Sequence, residues 1–543
     1  MKRRNFIKLA STASAIGLMP FELRAMLKTV DIANCGDLSN RKLVLINLAG
    51  GNDGLNTIIP INIYDQYANL RPTLKIPESG NNAYIKLDNS LNDNQQIGLH
   101  PALTGFKSLY DAGTLRILQS VGYPSQNKSH FASRDLYSTG NDGNNWGNGN
   151  NSGWIGRFIE KHYSDDLSEN YPMGVQIGSS KTALGFHGED EHGLSINISG
   201  QDPAGFYTKL NGLGGEAPTN LPDSDFGKEL DYIINVNSLS NKYSQSISNA
   251  FNNGKNDKTY DDTDLSNQLK TVARLISGGL KSKIYMVRIG GFDTHNSQVQ
   301  GSGDIQGKHY DLLNTVSSSV KNFVDDLKSQ NLGNDVVGLT YSEFGRKAKE
   351  NGNFGTDHGE IAPMFVFGEP VNGGVSGNNV DLSEATSNNN YQIKTVQYDY
   401  RQTFGTLLQD FLGASDLVID NAFFNNTTSE SFTKSKINEL LKDTHSVAKN
   451  CIAPVDPIKT NNGDKEWTLF PNPFKEIIFL SSNTGIKSGQ YKVTSVSGKI
   501  VGQGNFNEVN GNISLSIKNL SSGVYIIHIY SNVRTEFHKV FHL

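Results

Sequence analysis

The chain has 543 residues and a formal net charge of −5. It is long enough for two or three domains, and it lacks the basic excess of a general nucleic-acid binder. Hydrophobic residues make up 36 %, beside many Gly, Asn and Ser, a balance that suits a loop-rich exported globular protein rather than a disordered one.

The first 25 residues read as a targeting segment. Arg3-Arg4-Asn5-Phe6-Ile7-Lys8 has the form of a twin-arginine signal, and the apolar run Leu9 to Met19 that follows is too short to span a membrane. Cys35 and Cys451 are the two cysteines; one bridge between them and two separate thiols are both open.

Leu43 to Leu48 is a strand of the buried type and runs into Gly50-Gly51-Asn52-Asp53. Leu115 to Val121 is a second strand, followed by a loop that reaches Ser129 and His130 at the head of a helical stretch. Ile284 to Ile289 is a third, ending in Gly290-Gly291-Phe292-Asp293-Thr294-His295. Val336 to Thr340 is a fourth, and it runs into Ser342-Glu343-Phe344-Gly345-Arg346. A glycine-punctuated loop then carries Asp357 and His358 to a fifth run, Met364 to Phe367. Amphipathic stretches of helical length lie between strands, such as Leu265 to Ile276 and Tyr310 to Leu327. Strands alternating with helices predict an α/β fold with a mostly parallel sheet covered by helices on both faces.

In such sheets ligands bind beyond the strand ends. If the loops share one edge, Asp53, Ser129, His130, Asp293, His295, Glu343, Asp357 and His358 gather there. Mixed imidazole and carboxylate ligands point to a divalent cation, one or two ions, with zinc first and manganese or iron as alternatives. Each residue taken singly is equally at home as a turn, cap or surface residue. Ser129 is an ordinary N-cap, or a nucleophile if a metal lies nearby. His130, Arg134 and Arg346 are candidates to orient an anionic substrate.

These motifs, L-V-L-I-N-L-A-G-G-N-D-G-L-N, the S-H-F helix, G-G-F-D-T-H, S-E-F-G-R and G-T-D-H-G, resemble the exported proteins of domain of unknown function 1501, within the alkaline-phosphatase-like and sulfatase-like superfamily. The resemblance covers residues 40 to about 415 and implies an alkaline-phosphatase-like fold. It implies metal-ligating roles for Asp53, Asp293, His295, Glu343 and His358, with Asp357 as a further ligand or an orienter, and Ser129 as the nucleophile. Phe344 stands where the superfamily's Asp-His-Gly motif has a ligand histidine, a departure that weakens a second metal position.

Other landmarks have plainer readings. Phe186 to His192 is an acidic, histidine-containing loop, either a solvated insertion or a second metal site. His100, before Pro101, reads as a turn residue. Trp146 and Trp154, at and beyond an Asn/Gly-rich tract, either pack under a long loop or stack on a sugar or aromatic group.

Residues 446 to 465 read as a linker. From 466 to 543 short runs such as I-I-F-L-S and V-Y-I-I-H-I-Y alternate apolar and polar residues, which predicts a small antiparallel β-sandwich. W-T-L-F-P-N-P-F, S-V-S-G-K-I-V and L-S-S-G-V-Y-I-I resemble the C-terminal sorting domain of type IX secretion. That implies passage to the cell surface or the medium with the twin-arginine and type IX machineries as partners, and no membrane span in the mature chain. Together these features lead us to expect an exported metal-dependent hydrolase of phosphate or sulfate esters. The alternative is a non-catalytic surface protein that binds glycans or metal on the same scaffold.

Overall fold

In a computed structural model the structure describes residues 38–144, 152–167, 169–178, 184–189, 195–198, 243–424 and 436–447, and then 467–472, 474–482, 488–495, 500–508, 513–517, 520, 523–530 and 535–542. The expected targeting segment, both cysteines, Trp146 and nearly all of the expected linker lie outside the described residues. The chain divides into two compact units, Met1–Ile452 and Ala453–Leu543.

The first unit is built on strands β1 (Lys42–Leu48), β2 (Ile58–Pro60), β3 (Ile85–Lys86), β4 (Ile97–Leu99), β5 (Leu115–Gly122), β6 (Gly174–Ile177), β7 (Ser195–Ile198), β8 (Ile284–Ile289), β9 (Val336–Tyr341), β10 (Gly345–Arg346), β11 (His358–Gly359), β12 (Ala362–Phe367), β13 (Gly374–Ser376) and β14 (Tyr398–Asp399). Nine of them form one sheet in the order β13-β5-β12-β9-β1-β8-β6-β7, with β14 beside β5. Every pairing in it is parallel except those of β12, which runs antiparallel to both β9 and β5. The stretch 335–368 therefore reaches one edge of the sheet twice. β9 ends there and β12 begins there, so Glu343 and Asp357-His358 come to the same rim.

β1 is buried along its whole length, as a strand covered on both faces must be. Its alternate side chains divide between two cores. Val44, Ile46 and Leu48 pack with Leu109, Leu269, Val272, Val316, Val320 and Phe323 on one face. Leu43 and Leu45 pack with Leu136, Ile155, Phe158, Phe404, Leu407 and Val418 on the other.

The first face is covered by helices α1 (Thr104–Asp111), α4 (Asp264–Ser277) and α5 (Lys308–Ser329), the second by α2 (His130–Thr139), α3 (Trp154–His162), α6 (Tyr400–Asp410) and α7 (Asp416–Phe424). α4 starts where the Thr263 side chain accepts a hydrogen bond from Ser266 N, and α5 buries Leu313, Val316, Val320, Phe323, Val324 and Leu327 at helical spacing. Trp154 is 2 % exposed and packs between Phe404 and Phe423, with ring centroids 4.8 and 5.1 Å away; of its two expected roles, packing is the one observed. His100 is buried and its Nδ1 accepts from Ala102 N at 3.1 Å, the part of a turn residue. In the acidic loop, His187 Nδ1 lies 3.2 Å from Gly188 O, Glu189 N donates to Glu160 Oε2, and residues 190–192 lie outside the described residues.

Among its described residues the second unit has strands and no helix. Trp467–Phe470, Ile477–Ser482 and Ile513–Ser516 form one antiparallel sheet; Ile500–Asn507, Ser488–Ser495, Gly523–Tyr530 and Thr535–His542 form another. Their inner faces share one core with Trp467, Ile478, Val493, Leu515, Ile527, Ile529 and Val540, which makes the unit a β-sandwich.

Candidate metal centre

The loops after β1, β5, β8 and β9 and the loop before β12 meet at one rim of the large sheet. The β1 and β9 loops are stitched together first. Ser342 Oγ donates to Leu48 O at 2.7 Å and accepts from Asn52 N at 2.9 Å, and Gly50 N donates to Glu343 Oε1 at 2.8 Å. Two glycines make that approach feasible. Gly50 has φ +124° and a Cβ there would lie 2.3 Å from Asp293 N; Gly51 has φ +86° and a Cβ would lie 2.5 Å from the Phe344 ring.

Arg346 is the hub. Its side chain is fully buried, and its N–H groups reach Gly51 O (2.7 Å), Thr356 O (3.0 Å), Phe292 O (2.9 Å), Asp293 Oδ1 (2.7 Å) and Gly50 O. Of its five N–H donors, Nε serves Gly51 O, one on Nη1 serves Thr356 O, and the two on Nη2 are shared among Gly50 O, Phe292 O and Asp293 Oδ1. Arg346 thus builds the site, and its side chain is buried within it. β10 and β11 add register, pairing Arg346 with His358.

Three imidazoles converge on Asp293, and each is turned by an oxygen at its Nδ1. His295 Nδ1 lies 3.1 Å from Asp357 Oδ1, His358 Nδ1 2.8 Å from Lys128 O, and His130 Nδ1 3.1 Å from Glu343 Oε1. An acceptor at Nδ1 assigns the proton there and leaves the lone pair on Nε2. The Nε2 atoms of His295 and His358 are 2.9 Å apart, and each is 3.2 Å from Asp293 Oδ1. His130 Nε2 is 3.4 Å from Asp293 Oδ2 and has no hydrogen-bond partner.

The remaining pKa shifts follow from this packing. The Glu343 hydrogen bond raises His130 above its ordinary value against the cost of burial. Burial lowers His358, more than its bond to the Lys128 carbonyl raises it. Asp293 would be raised by burial, but Arg346 and the neighbouring imidazoles bring it down to about 2, so it is a carboxylate at any ordinary pH.

Lone pairs and a carboxylate facing one another without a proton between them are a set that attracts a cation. The donor triangle has edges of 2.9, 3.2 and 3.2 Å. A cation with bonds of about 2.1 Å holds its ligand atoms roughly 3.0 Å apart at 90° and roughly 3.4 Å apart at the tetrahedral angle. The residues present fit such an ion. His130, Asp293 and His358 likewise place one donor atom each within 4.8 Å of one another.

The site therefore gathers His130, Asp293, His295, Glu343, Asp357, His358 and Arg346, with Glu343 and Asp357 placed behind imidazoles. Phe344, at the position where a ligand histidine is expected, lies under two of the rings, with centroids 4.8 Å from His130 and 4.6 Å from His358. Asp53 is set apart. Its carboxylate is fully buried, and Oδ2 accepts from Arg71 Nη1 at 2.6 Å and Gln298 Nε2 at 2.5 Å. Burial would raise its pKa, but Arg71 and Gln298 hold it below the ordinary value.

Ser129 is exposed at the N-cap of α2 and its side chain makes no capping bond; its N–H donates to Asn127 Oδ1 at 2.8 Å. Arg134 lies over the exposed Phe131 ring, 5.4 Å from its centroid. The residues that sequence reasoning passed over are Arg71, Gln298 and Lys128. No motif marks the first two, and Lys128 acts through its main chain, for which side-chain type gives no signal.

What these features define is an α/β protein with a strand-end centre of imidazoles and carboxylates, joined in one chain to a β-sandwich. The chain belongs to the family described as protein of unknown function, DUF1501, whose model matches residues 40–414. Residues 468–542 match the secretion system C-terminal sorting domain, which indicates export to the cell surface or the medium. No curated protein matches. Among solved structures the chain is similar to a protein in the alkaline phosphatase superfamily from Vibrio parahaemolyticus, at 9 % identity and a TM-score of 0.29, over 93 % of this chain and 92 % of that one. It is similar to the PsFucS1 sulfatase from Pseudoalteromonas sp. at 10 % identity and a TM-score of 0.32, over 93 % and 88 %. It is similar as well to the lipoteichoic acid synthase LtaP from Listeria monocytogenes, at 9 % identity and a TM-score of 0.28, over 63 % and 73 %. No helix among the described residues is long and apolar enough to cross a membrane.

Proposed function

We propose that the protein is an exported metal-dependent hydrolase of phosphate or sulfate esters. The observation that carries this reading is the convergence of His295 Nε2, His358 Nε2 and Asp293 Oδ1 at 2.9 to 3.2 Å, with His130 beside them. His130, Asp293, His295 and His358 would hold a zinc, manganese or iron ion. When bound, the ion would polarise the ester oxygen and offset charge that builds in the transition state.

The chain's own residues do the rest. Glu343 and Asp357 fix the proton on Nδ1 of His130 and His295 and aim their Nε2 atoms. Ser129, exposed and free of a capping bond, is the candidate nucleophile, one residue from His130. Arg134, over the exposed Phe131 ring, is the candidate cation to meet the substrate anion, since the Arg346 side chain is buried in the loops it joins.

The test is hydrolysis of aryl phosphate and aryl sulfate esters by the chain loaded with zinc, manganese or iron, beside Asp293→Asn and Ser129→Ala. Turnover in the parent that falls at least a hundredfold in both variants supports the reading. A second reading, a surface protein that binds metal or glycan without turnover, is favoured by Phe344 in the place of a ligand histidine. A metal-loaded parent that cleaves no ester would put that reading first.

A further inference from the structure

We propose that the centre takes one divalent cation and that Arg71 serves as a built-in second positive charge, bound to the carboxylate that would otherwise hold another ion. The inference rests on the metal-dependent reading above. A carboxylate as deeply buried as Asp53 needs a proton, a metal ion or a basic side chain as counter-charge. Here the counter-charge is the Arg71 guanidinium, itself fully buried, 2.6 Å from Asp53 Oδ2.

Arg71 is locked in that position. Its Nη1 also donates to Asn56 Oδ1 at 2.8 Å, its Nε to Ala348 O at 2.8 Å and its Nη2 to Lys347 O at 2.8 Å. A guanidinium held by four acceptors cannot swing aside for an incoming ion without giving up those bonds, among them the ones to the Ala348 and Lys347 carbonyls. The other Asp53 oxygen, Oδ1, has no protein partner. One oxygen of a carboxylate already neutralised by a fixed cation attracts a divalent ion weakly, and the ion would meet like charge beside it.

The pair also reaches the metal-ligating loops. Gln298, fully buried, donates its Nε2 to Asp53 Oδ2, and its Oε1 accepts from Thr294 Oγ1 at 3.1 Å and Thr356 Oγ1 at 2.9 Å. Thr294 lies between Asp293 and His295, and Thr356 precedes Asp357-His358. The Arg71–Asp53 pair thus sits behind the donor cluster as a neutral strut, and the demand for a cation falls on Asp293 and its three imidazoles.

The experiment is zinc stoichiometry on the full chain. The protein is stripped with chelator, saturated with zinc, freed of excess and assayed by elemental mass spectrometry, with calorimetric titration alongside. The proposal expects one ion per chain for the parent and for Arg71→Lys, and a second, weaker ion for Arg71→Met, abolished again by adding Asp53→Asn. Two ions in the parent, one of them lost in Asp53→Asn, would overturn the proposal while leaving the metal-dependent reading in place. No ion in the parent would overturn both. If Arg71→Met does not fold, the parent count with Asp53→Asn decides the matter alone.

Discussion

Glu343→Gln is the sharpest perturbation of the centre, because it removes a charge and almost nothing else. Glu343 Oε1 accepts from Gly50 N at 2.8 Å and faces His130 Nδ1 at 3.1 Å, while Oε2 is buried without a partner. A glutamine of the same shape keeps an oxygen toward Gly50 and His130. What it loses is the negative charge that makes His130 Nε2 a strong donor. Loss of such an outer carboxylate typically weakens metal binding 10- to 100-fold, which is about 1.4 to 2.8 kcal/mol. The zinc-free protein should lose less than about 1 kcal/mol of stability, since a buried charge with one unpaired oxygen is itself costly. The assay is competition for zinc against a chromophoric chelator, with denaturant unfolding of the zinc-free form. Zinc affinity within twofold of the parent would refute the role given to the Glu343–His130 pair.

Three further outcomes follow from the packing. Arg346→Met strips the partners from four carbonyls and from Asp293; unpaired buried acceptors cost roughly 1–3 kcal/mol each, so thermal unfolding should fall steeply and zinc binding with it, and a variant that unfolds like the parent would count against the hub. His309 is fully buried and its pKa is lowered from 6.5 to about 4, first by burial, with Arg71 and Arg346 lowering it further against the pull of Asp53; the unfolded chain therefore takes up the proton first, so stability is fully present above pH 6.5 and about 3 kcal/mol of it is lost as pH falls toward 4, a slope that His309→Asn should flatten in pH-dependent denaturant unfolding. Trp154→Ala removes a ring wedged between Phe404 and Phe423 and should cost about 3–5 kcal/mol by the same measurement, while leaving zinc affinity unchanged.

The scaffold was legible in the sequence because its buried parallel strands are apolar along most of their length. K-L-V-L-I-N-L and I-Y-M-V-R-I both lie in the sheet as expected, with their Gly-Gly loops at the same rim. The antiparallel course of β12 is not written in its own residues, since A-P-M-F-V-F would serve either direction. It follows from the short hairpin between β10 and β11, which turns the chain back.

Within the site, residue types were readable and their pairings were not. Asp53, after Gly-Gly, looks like Asp293, after Gly-Gly. What separates them is a buried arginine 18 residues on, in a stretch without periodicity, and a glutamine in a distant loop. Likewise Asp357 and Glu343 have the chemistry of ligands, but the Nδ1 atoms of His295 and His130 meet them first. Partner choice of this kind is set by three-dimensional packing across the rim.

The most direct measurement is an anomalous-difference map from crystals of the zinc-supplied protein, collected on both sides of the zinc edge. The account predicts one strong peak about 2.0–2.2 Å from His295 Nε2, His358 Nε2 and an Asp293 oxygen, with Arg71 still paired to Asp53. No peak at that triangle, with the two Nε2 atoms still facing each other, would contradict it.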